Sequence, residues 1–330
     1  MHSHRSPRRR SLLLAGGASA AVAGFVLRPV LAADRPNGPM KIVVPYPPGG
    51  FNDTLGRLVA KKLADAWNVA ALVENRPGAG TAIGTHAVAT APADGNTLLV
   101  IQFPFAANPW LYKLQYDSER DFAPIVLAGR SPMVLVAYAG SPYRNVADVI
   151  QAARNKLATI NYGSSGSGSS NHLAMVLFEN QAGIRMNQVP YKGSTPLMTD
   201  LSGGHVELAM DLLPQVLPFI QSGKARPLLI ASTRRSPLLP DTPTSAEAGV
   251  SGYEVSSWHG FVAPAATPQP VIDALNKELN AILTQDDVKQ AFAAQGVTPD
   301  GGTPAQFREF IAGQMTTWKR VIQQYHITAE

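Results

Sequence analysis

Three glycine-rich segments are the part of the sequence best suited to chemistry. They are residues 45–53 (PYPPGGFND), 76–84 (RPGAGTAIG) and 163–171 (GSSGSGSSN). Glycine lets a backbone approach a ligand closely and adopt positive φ, and the N–H groups at the start of a helix attract anions. The only cation in the three segments is Arg76. We therefore expect these segments to hold a carboxylate through backbone N–H and hydroxyl donors.

Each segment taken alone is also typical of a tight connection between a strand and a helix. Enzyme signatures are weaker still. Residues 78–84 read G-x-G-x-x-x-G, one position off the dinucleotide fingerprint, and no Walker pattern occurs. Residues 163–170 lack G-x-S-x-G because Ser167 stands where the second glycine would fall. A serine-dependent hydrolase or amidase using residues 163–170 is the alternative to a binding protein, since triad partners can be distant in sequence.

Titratable residues give little support to metal or thiol chemistry. The sequence has no cysteine, and the histidines beyond residue 33 form no i, i+4 pair, so we expect no metal, cofactor or catalytic residue. Asp53 is predicted to lie in the first turn of a helix and to pair with Arg57. Asp211, near the end of a predicted strand, either orients loop backbone beside a ligand or caps the next turn. His172, His259 and Trp258 either line a cleft or pack.

The charge of the chain is concentrated in its first 33 residues. They contain five arginines and no acid, so the remainder has 28 − 5 = 23 basic residues against 23 acidic ones. Only 15% of the residues are charged, which excludes a broad surface for nucleic acid. Residues 8–10 (RRR) precede an apolar stretch at 12–27, which predicts a signal peptide cleaved after Ala32 or Ala33. Both the twin-arginine and the general secretory route fit this leader.

Beyond the leader, short β-rich runs alternate with helical periodicity, which predicts an α/β protein with parallel or mixed sheets. Helices are predicted at residues 54–67 and 170–181, and three more in the tail at 270–283, 286–295 and 304–323. The predicted strands are residues 41–46, 71–75, 97–102, 159–163, 188–192, 208–212 and 227–232. Because ligands bind at the carboxyl ends of parallel strands, the glycine-rich segments that follow these strands are well placed.

The order of the elements predicts two lobes joined by two crossover strands. A helical tail without strands needs a sheet to pack on, so we assign residues 36–130 and 258–330 to one discontinuous lobe and residues 131–257 to the other. The crossovers are expected near residues 121–130 and 255–264. The ligand would lie in the cleft between the lobes.

Several motifs together resemble the tripartite tricarboxylate transporter substrate-binding proteins, also called the Bug family. The resemblance spans residues 38–325, in order and at consistent spacing. Its motifs are residues 42–50 (IVVPYPPGG) with Asp53 and Arg57, 73–80 (VENRPGAG), 93–95 (ADG) with 97–99 (TLL), 162–166 (YGSSG) with His172 and Leu173, 189–193 (VPYKG), 200–201 (DL) with 203–204 (GG), and Trp258 with Gly260, Ala263 and Pro264.

The resemblance implies a monomeric, periplasmic receptor with a two-lobed, type II-like periplasmic-binding-protein fold. Such a receptor captures a small organic carboxylate, such as a di- or tricarboxylate, an amino acid or an aromatic acid, for uptake or sensing. A tripartite tricarboxylate transporter complex in the membrane is its implied partner. The candidate ligand-binding residues are Tyr46, Pro48, Gly49, Phe51, Asn52, Asp53, Ala79, Gly80, Thr81, Ser164, Ser165, Gly168, Ser169 and Asp211. Phe51 departs from the small or polar residue common in the family, and its ring is expected either to touch the ligand or only to pack.

Overall fold

The computed structural model describes residues 35–36, 38–155 and 160–328 of the chain. The predicted signal peptide and its cleavage site lie outside these residues. The strands are β1 Met40–Val44, β2 Ala71–Asn75, β3 Thr97–Ile101, β4 Phe122–Tyr138, β5 Asn161–Ser164, β6 Asn187–Pro190, β7 Leu208–Leu212, β8 Ala225–Ile230, β9 Ser256–Pro264 and β10 Thr298–Pro299. The α-helices are α1 Phe51–Trp67, α2 Ala82–Ala89, α3 Phe103–Ala107, α4 Val146–Asn155, α5 Ser170–Ala182, α6 Ser194–Gly203, α7 Leu213–Gln221, α8 Gln269–Leu283, α9 Asp286–Ala293 and α10 Pro304–Gln324.

Two groups of strands share the long strand β4. In the first group, β1 lies between β2 and β3, all parallel, and β9 runs antiparallel between β3 and β4. In the second group, β5 lies between β6 and β7, again all parallel, and β7 and β8 pair antiparallel with β4. Residues 122–132 of β4 pair with β9, whereas residues 133–138 pair with β7 and β8. The result is the α/β architecture with a mixed sheet that the sequence predicts.

The strand directions make the carboxyl ends of the two parallel sets face each other. Strand β3 is antiparallel to β9, and β9 is antiparallel to β4, so β3 runs in the same direction as β4. Strands β1 and β2, which are parallel to β3, therefore also point along β4 towards the second group. Strand β7 is antiparallel to β4, so β5, β6 and β7 run back towards the first group. The loops after β1, β2 and β5 therefore lie on the facing edges of the two groups.

Helix α1 shows how the helices cover these strands. Its apolar residues recur every three to four positions, and Leu55, Val59 and Leu63 are fully buried in a cluster with β1, β3 and α8. The helix begins after Gly50, which provides no side-chain cap, and ends at Asn68 in the left-handed conformation. The first turn of α1 therefore leaves backbone N–H groups available on the facing edge.

The predicted elements are largely confirmed, with errors at their ends. Strands β2 and β7 have the predicted bounds, whereas β8 lies two residues before the predicted 227–232, and Thr159 of the predicted 159–163 lies outside the described residues. Helix α1 begins three residues before the predicted 54. The described residues between 35 and 328 form one compact unit, so the lobe boundaries at 130/131 and 257/258 stay a prediction. Within the described residues, no helix has the length and apolar character needed to cross a membrane.

Candidate ligand-binding site

Asp53 fixes the loop that follows β1. Its Oδ2 accepts hydrogen bonds from the Gly49 N–H at 3.0 Å and from Arg57 Nε at 3.1 Å. Its Oδ1 accepts one from Asn75 Nδ2 at 3.0 Å and lies 3.0 Å from Arg57 Nη2. The predicted pairing of Asp53 with Arg57 is therefore present, and the carboxylate is used entirely by donors of the protein itself.

These donors also set the charge state of Asp53. Burial raises the pKa of the Asp53 carboxyl, but hydrogen bonds from Arg57, Gly49 and Asn75 outweigh burial and lower the pKa below its usual value. Asn75, the last residue of β2, also donates from Nδ2 to the Tyr46 carbonyl at 3.2 Å. The first two glycine-rich segments are thus tied together through one ionised carboxylate and one amide.

A chain of hydrogen bonds joins the start of α1 to β9. His259 Nδ1 lies 2.8 Å from Asn52 Oδ1, Asn52 Nδ2 donates to Gln102 Oε1 at 3.2 Å, and Gln102 Nε2 donates to Ser257 Oγ at 2.6 Å. The Phe51 ring packs edge-on against His259 at 4.5 Å and Phe292 at 5.2 Å between centroids. The structure thus gives Phe51 a packing role; contact of its ring with a ligand stays a prediction.

The buried His259 makes stability depend on pH. Burial lowers the pKa of His259 to about 3, below its unfolded value of about 6.5, so the unfolded chain binds an extra proton between these values. Stability from neutral His259 is present above pH ~6.5 and is lost as pH falls. We expect His259→Gln to reduce the fall in unfolding free energy between pH 6.5 and 4.5 by up to about 1.4 kcal/mol per pH unit. Urea denaturation across this range measures it.

The comparison with wild type isolates His259 from other buried groups. Burial lowers the pKa of His172 to about 4, so His172 also makes the unfolding free energy fall as pH falls. Burial raises the pKa of Glu179 to about 7, so Glu179 has the opposite effect on the unfolding free energy. Both residues are unchanged in the variant, so their effects cancel. The exposed His205 provides the control, His205→Gln, which should keep the wild-type slope. If the unfolding free energy fell equally steeply with pH in His259→Gln and in wild type, the neutral His259 would not be the cause of the pH dependence.

The loop after β2 contains a run of left-handed residues. The φ angles are 129° at Gly78, 46° at Ala79, 60° at Gly80 and 86° at Thr81. Helix α2 follows at once, and Gly84 in its first turn allows close contact with the first loop, since a Cβ there would lie 2.8 Å from Pro45 Cβ. The positive φ at Gly80 and the lack of a side chain at Gly84 are the features that the glycine-rich pattern signals.

The loop after β5 is held mainly by its own side chains. The fully buried Ser164 accepts a hydrogen bond at Oγ from Gln188 Nε2 at 2.7 Å, and Ser165 Oγ donates to Asn171 Oδ1 at 2.6 Å. Ser169 is the N-cap of α5, where its Oγ accepts from the His172 N–H at 3.3 Å. The Gly168 N–H, which the sequence suggests as a ligand donor, donates instead to His172 Nδ1 at 3.0 Å.

Asp211 is a buried carboxyl at the carboxyl end of β7. Its Oδ1 accepts from the Leu212 N–H at 2.8 Å, and its Oδ2 has no hydrogen-bond partner among the described residues. Burial raises the pKa of Asp211, although Ser194 and Asn171 beside it act in the opposite direction. Leu212 is the N-cap residue of α7, and no side chain caps that helix, so Asp211 orients loop backbone here and does not cap the next turn. Contact of Asp211 with a ligand stays a prediction.

Unpaired backbone donors remain in all three loops. Two N–H groups in each loop have no hydrogen-bond partner among the described residues. They are those of Phe51 and Asn52 after β1, Ala79 and Gly80 after β2, and Ser170 and Asn171 after β5. These N–H groups lie next to the candidate residues Gly49, Thr81 and Ser169. The exposed Pro48 lies one residue before Gly49, and the phenol of Tyr46 keeps its proton because burial raises its pKa.

Nearby cations are mostly neutralised within the protein. Arg76 forms an ion pair with Glu74, and Arg57 is paired with Asp53. Lys192, which follows β6, is exposed and forms no ion pair with any residue that the structure describes. Apart from Lys192, the donors without a partner in the three loops are therefore backbone N–H groups, and carboxylate binding by these groups stays a prediction.

The arrangement of the serines gives no support to the hydrolase alternative. The imidazole of His172 accepts from the Gly168 N–H, and among the described residues it makes no hydrogen bond with a serine hydroxyl of residues 163–170. Trp258 is fully buried and packs edge-on against Phe310 at 5.4 Å, which agrees with a packing role. Sequence reasoning missed Asn75, Gln102 and Asn108, whose partners are 22 to 155 positions away in the chain.

The fold and the facing loops define a solute-binding receptor of the two-sheet α/β type. A solved protein from R. palustris with adipate, Rpa4515, superposes with a TM-score of 0.78 at 35% identity, covering 88% of this chain and 98% of that one. MatC from Rhodopseudomonas palustris, with bound malate, gives a TM-score of 0.74 at 28% identity, covering 87% and 99%.

The family follows from the sequence comparisons. The profile of the tripartite tricarboxylate transporter family receptors, TctC, matches residues 55–327. Protein BugT of Bordetella pertussis (strain Tohama I) is 37% identical over 316 residues, covering 95% of this chain and 97% of BugT. The chain therefore belongs to the TctC family of solute-binding receptors, as the resemblance implies.

Proposed function

We propose that this receptor binds a small organic carboxylate between the two groups of strands. The observation that supports this most directly is the set of unpaired N–H groups in three loops on facing edges, beside arginines that are already paired. Charge-assisted hydrogen bonds from N–H groups to a carboxylate contribute about 1.5–3 kcal/mol each. Relatives that are 35% and 28% identical hold adipate and malate, which are both dicarboxylates.

Binding between facing loops provides a reason for the lobes to close. Among the described residues, no hydrogen bond joins the loops after β1 and β2 to the loop after β5. A dicarboxylate that contacts both sides would therefore favour the closed arrangement, in proportion to its preference for that state. The lobes meet at β4 and at the start of β9, where the Val255 carbonyl accepts from the Met133 N–H at 3.1 Å.

The proposed setting is the periplasm, with no catalytic role. Proteins of this family are periplasmic receptors, and the basic and apolar leader fits export with cleavage after Ala32 or Ala33. An intact-mass measurement on extracytoplasmic protein tests that cleavage. A monomer that delivers its solute to a tripartite tricarboxylate transporter is the arrangement that family membership favours.

The test of this function is direct identification of the ligand. Mass spectrometry of small molecules released from the purified, denatured protein is expected to find an organic acid. Calorimetric titration of ligand-free protein with adipate and malate then measures affinity, since both are ligands of relatives. The matched controls are adipamide and malamide, which keep the carbon chain and lose the negative charge. We expect binding of at least one acid and none of its diamide.

Two results would contradict the proposal. The first is equal affinity for an acid and its diamide, because the N–H donors would then not be recognising charge. The second is turnover of ester or amide substrates at the loop after β5, which would favour the hydrolase alternative. A Ser165→Ala variant that abolishes such turnover would assign the nucleophile.

A further inference from the structure

The turn after β2 holds a conformation that its residues do not favour. Ala79, Gly80 and Thr81 have φ angles of 46°, 60° and 86°. Left-handed conformations are unfavourable for residues with a Cβ, and a β-branched threonine is among the least tolerant. Such a conformation persists only where surrounding contacts impose it.

Asn108 holds the turn from a distant part of the chain. Its Nδ2 donates to the Gly80 carbonyl at 2.6 Å and lies 3.5 Å from Thr81 Oγ1. Asn108 begins a short 3₁₀ helix, Asn108–Trp110, and is 4% exposed. Among the described residues, this is the only side-chain hydrogen bond that the Gly80 carbonyl accepts.

Tyr112 packs against the same turn. A Cβ at Gly80 would lie 3.4–3.5 Å from the Tyr112 ring and hydroxyl. The Tyr112 N–H donates to the Asn108 carbonyl at 2.9 Å, so the amide and the ring are held in one rigid unit. The 3₁₀ segment therefore contacts the turn through a polar group and an aromatic ring.

We propose that Asn108 is a positioning residue that keeps the turn at residues 79–81 ready to receive a carboxylate. The inference rests on the proposed function, because the turn that Asn108 holds includes the unpaired N–H groups of Ala79 and Gly80. Without the Asn108 amide, the Gly80 carbonyl loses its partner and the turn relaxes towards negative φ. The apparent affinity then equals the intrinsic affinity multiplied by the fraction of molecules in which the turn remains correctly formed.

The expected effect is measured with Asn108→Ala and Asn108→Asp. Asn108→Ala removes the donor, and the affinity for the acid that wild type binds should fall about tenfold, equally at pH 5.5 and pH 8. Asn108→Asp has the same shape but replaces the amide donor by a carboxyl. Burial raises the pKa of a carboxyl at this position, so its protonated form donates an O–H at low pH. The affinity of Asn108→Asp, relative to wild type, should be lowest at pH 8 and recover at pH 5.5.

Amide hydrogen exchange provides a measurement that does not depend on a ligand. In ligand-free Asn108→Ala, the amides of residues 81–83 should exchange faster than in wild type, while those of β1 and β3 keep wild-type rates. The control is Asn145→Asp, at an exposed position where Asn145 Oδ1 accepts from the Asp148 N–H and a carboxylate does the same. This control should change neither exchange at the turn nor affinity.

The outcomes separate the two proposals. If wild type binds no carboxylate but Asn108→Ala loosens the turn, the proposed function is wrong and Asn108 still imposes the turn. If wild type binds an acid while Asn108→Ala keeps both its affinity and its exchange rates, the positioning role is wrong. A uniform loss of thermal stability and of affinity in both variants, with no pH recovery in Asn108→Asp, would also overturn it, because it indicates a general structural role.

Discussion

The Gly80→Val variant is expected to bind its carboxylate about a hundredfold more weakly than wild type, which corresponds to about 2.7 kcal/mol. Gly80 has a φ of 60°, and a Cβ there would lie 3.4–3.5 Å from the Tyr112 ring. A β-branched side chain disfavours this φ and covers backbone that the ligand has to approach. Calorimetry with the acid identified for wild type measures the loss.

Two controls separate recognition from strain. Gly183, which ends α5, has a φ of 63°, and no other atom would lie within 4 Å of a Cβ at this position. Gly183→Val therefore introduces similar backbone strain away from the glycine-rich loops. It should reduce stability and leave affinity unchanged. Arg76→Ala should change affinity little, because Arg76 is already paired with Glu74. If Arg76→Ala abolished binding while Gly80→Val bound normally, an arginine would hold the acid and our description of the site would be wrong.

The Asp53→Asn variant is expected to lose both stability and affinity. The substitution keeps the shape but places an amide among the Gly49 N–H, Arg57 and Asn75, so at least one donor faces another donor. The loss of charge-assisted hydrogen bonds should reduce the unfolding free energy by about 2 kcal/mol. Because the same carboxylate fixes the loop after β1, affinity should fall about tenfold. Urea denaturation and calorimetry measure the two effects.

The effect of Asp53→Asn should also depend on pH. The folded-state pKa of Asp53 is lowered, so its contribution is present above the unfolded value near 4 and disappears as pH falls through the folded pKa. Wild type and variant should therefore converge in stability as pH falls through the lowered folded-state pKa of Asp53. Asp287→Asn, which removes an exposed partner of Lys62, is the control and should change stability little at any pH. If the difference in unfolding free energy between wild type and Asp53→Asn stayed constant across pH, the ionised Asp53 carboxylate would not be the source of that difference.

The sequence predicted the strands and the glycine-rich loops because both have local signals. Strands β2 and β7 were predicted at their observed bounds from short apolar runs. Helices α6 and α7 were missed, since their sequences STPLMTDLSG and LPQVLPFIQ contain proline, serine and threonine, which disfavour helix interiors. Here the buried contacts of Leu201 and Val216 override weak propensity.

The donors and the contacts that hold the site could not be predicted in the same way. The sequence suggested Gly168 as a donor, but its N–H is used by His172, and the unpaired groups are those of Ser170 and Asn171. Asn75 and Asn108 reach partners 22 and 28 residues away. No local pattern marks an asparagine whose amide acts across such a distance, so only the tertiary structure assigns these roles.

The internal pairing of Arg57 and Arg76 has a consequence for how the receptor meets its solute. Ions in solution screen exposed net charges, but they have little effect on short hydrogen bonds made in a closed cleft. Beyond residue 33, positive and negative residues are equal in number, so the net charge of this part of the chain provides no long-range attraction for an anion. The association rate of the solute should therefore be nearly the same at low and at high ionic strength, apart from a screened contribution of the exposed Lys192. Such a rate suits a receptor whose surroundings vary in ionic strength.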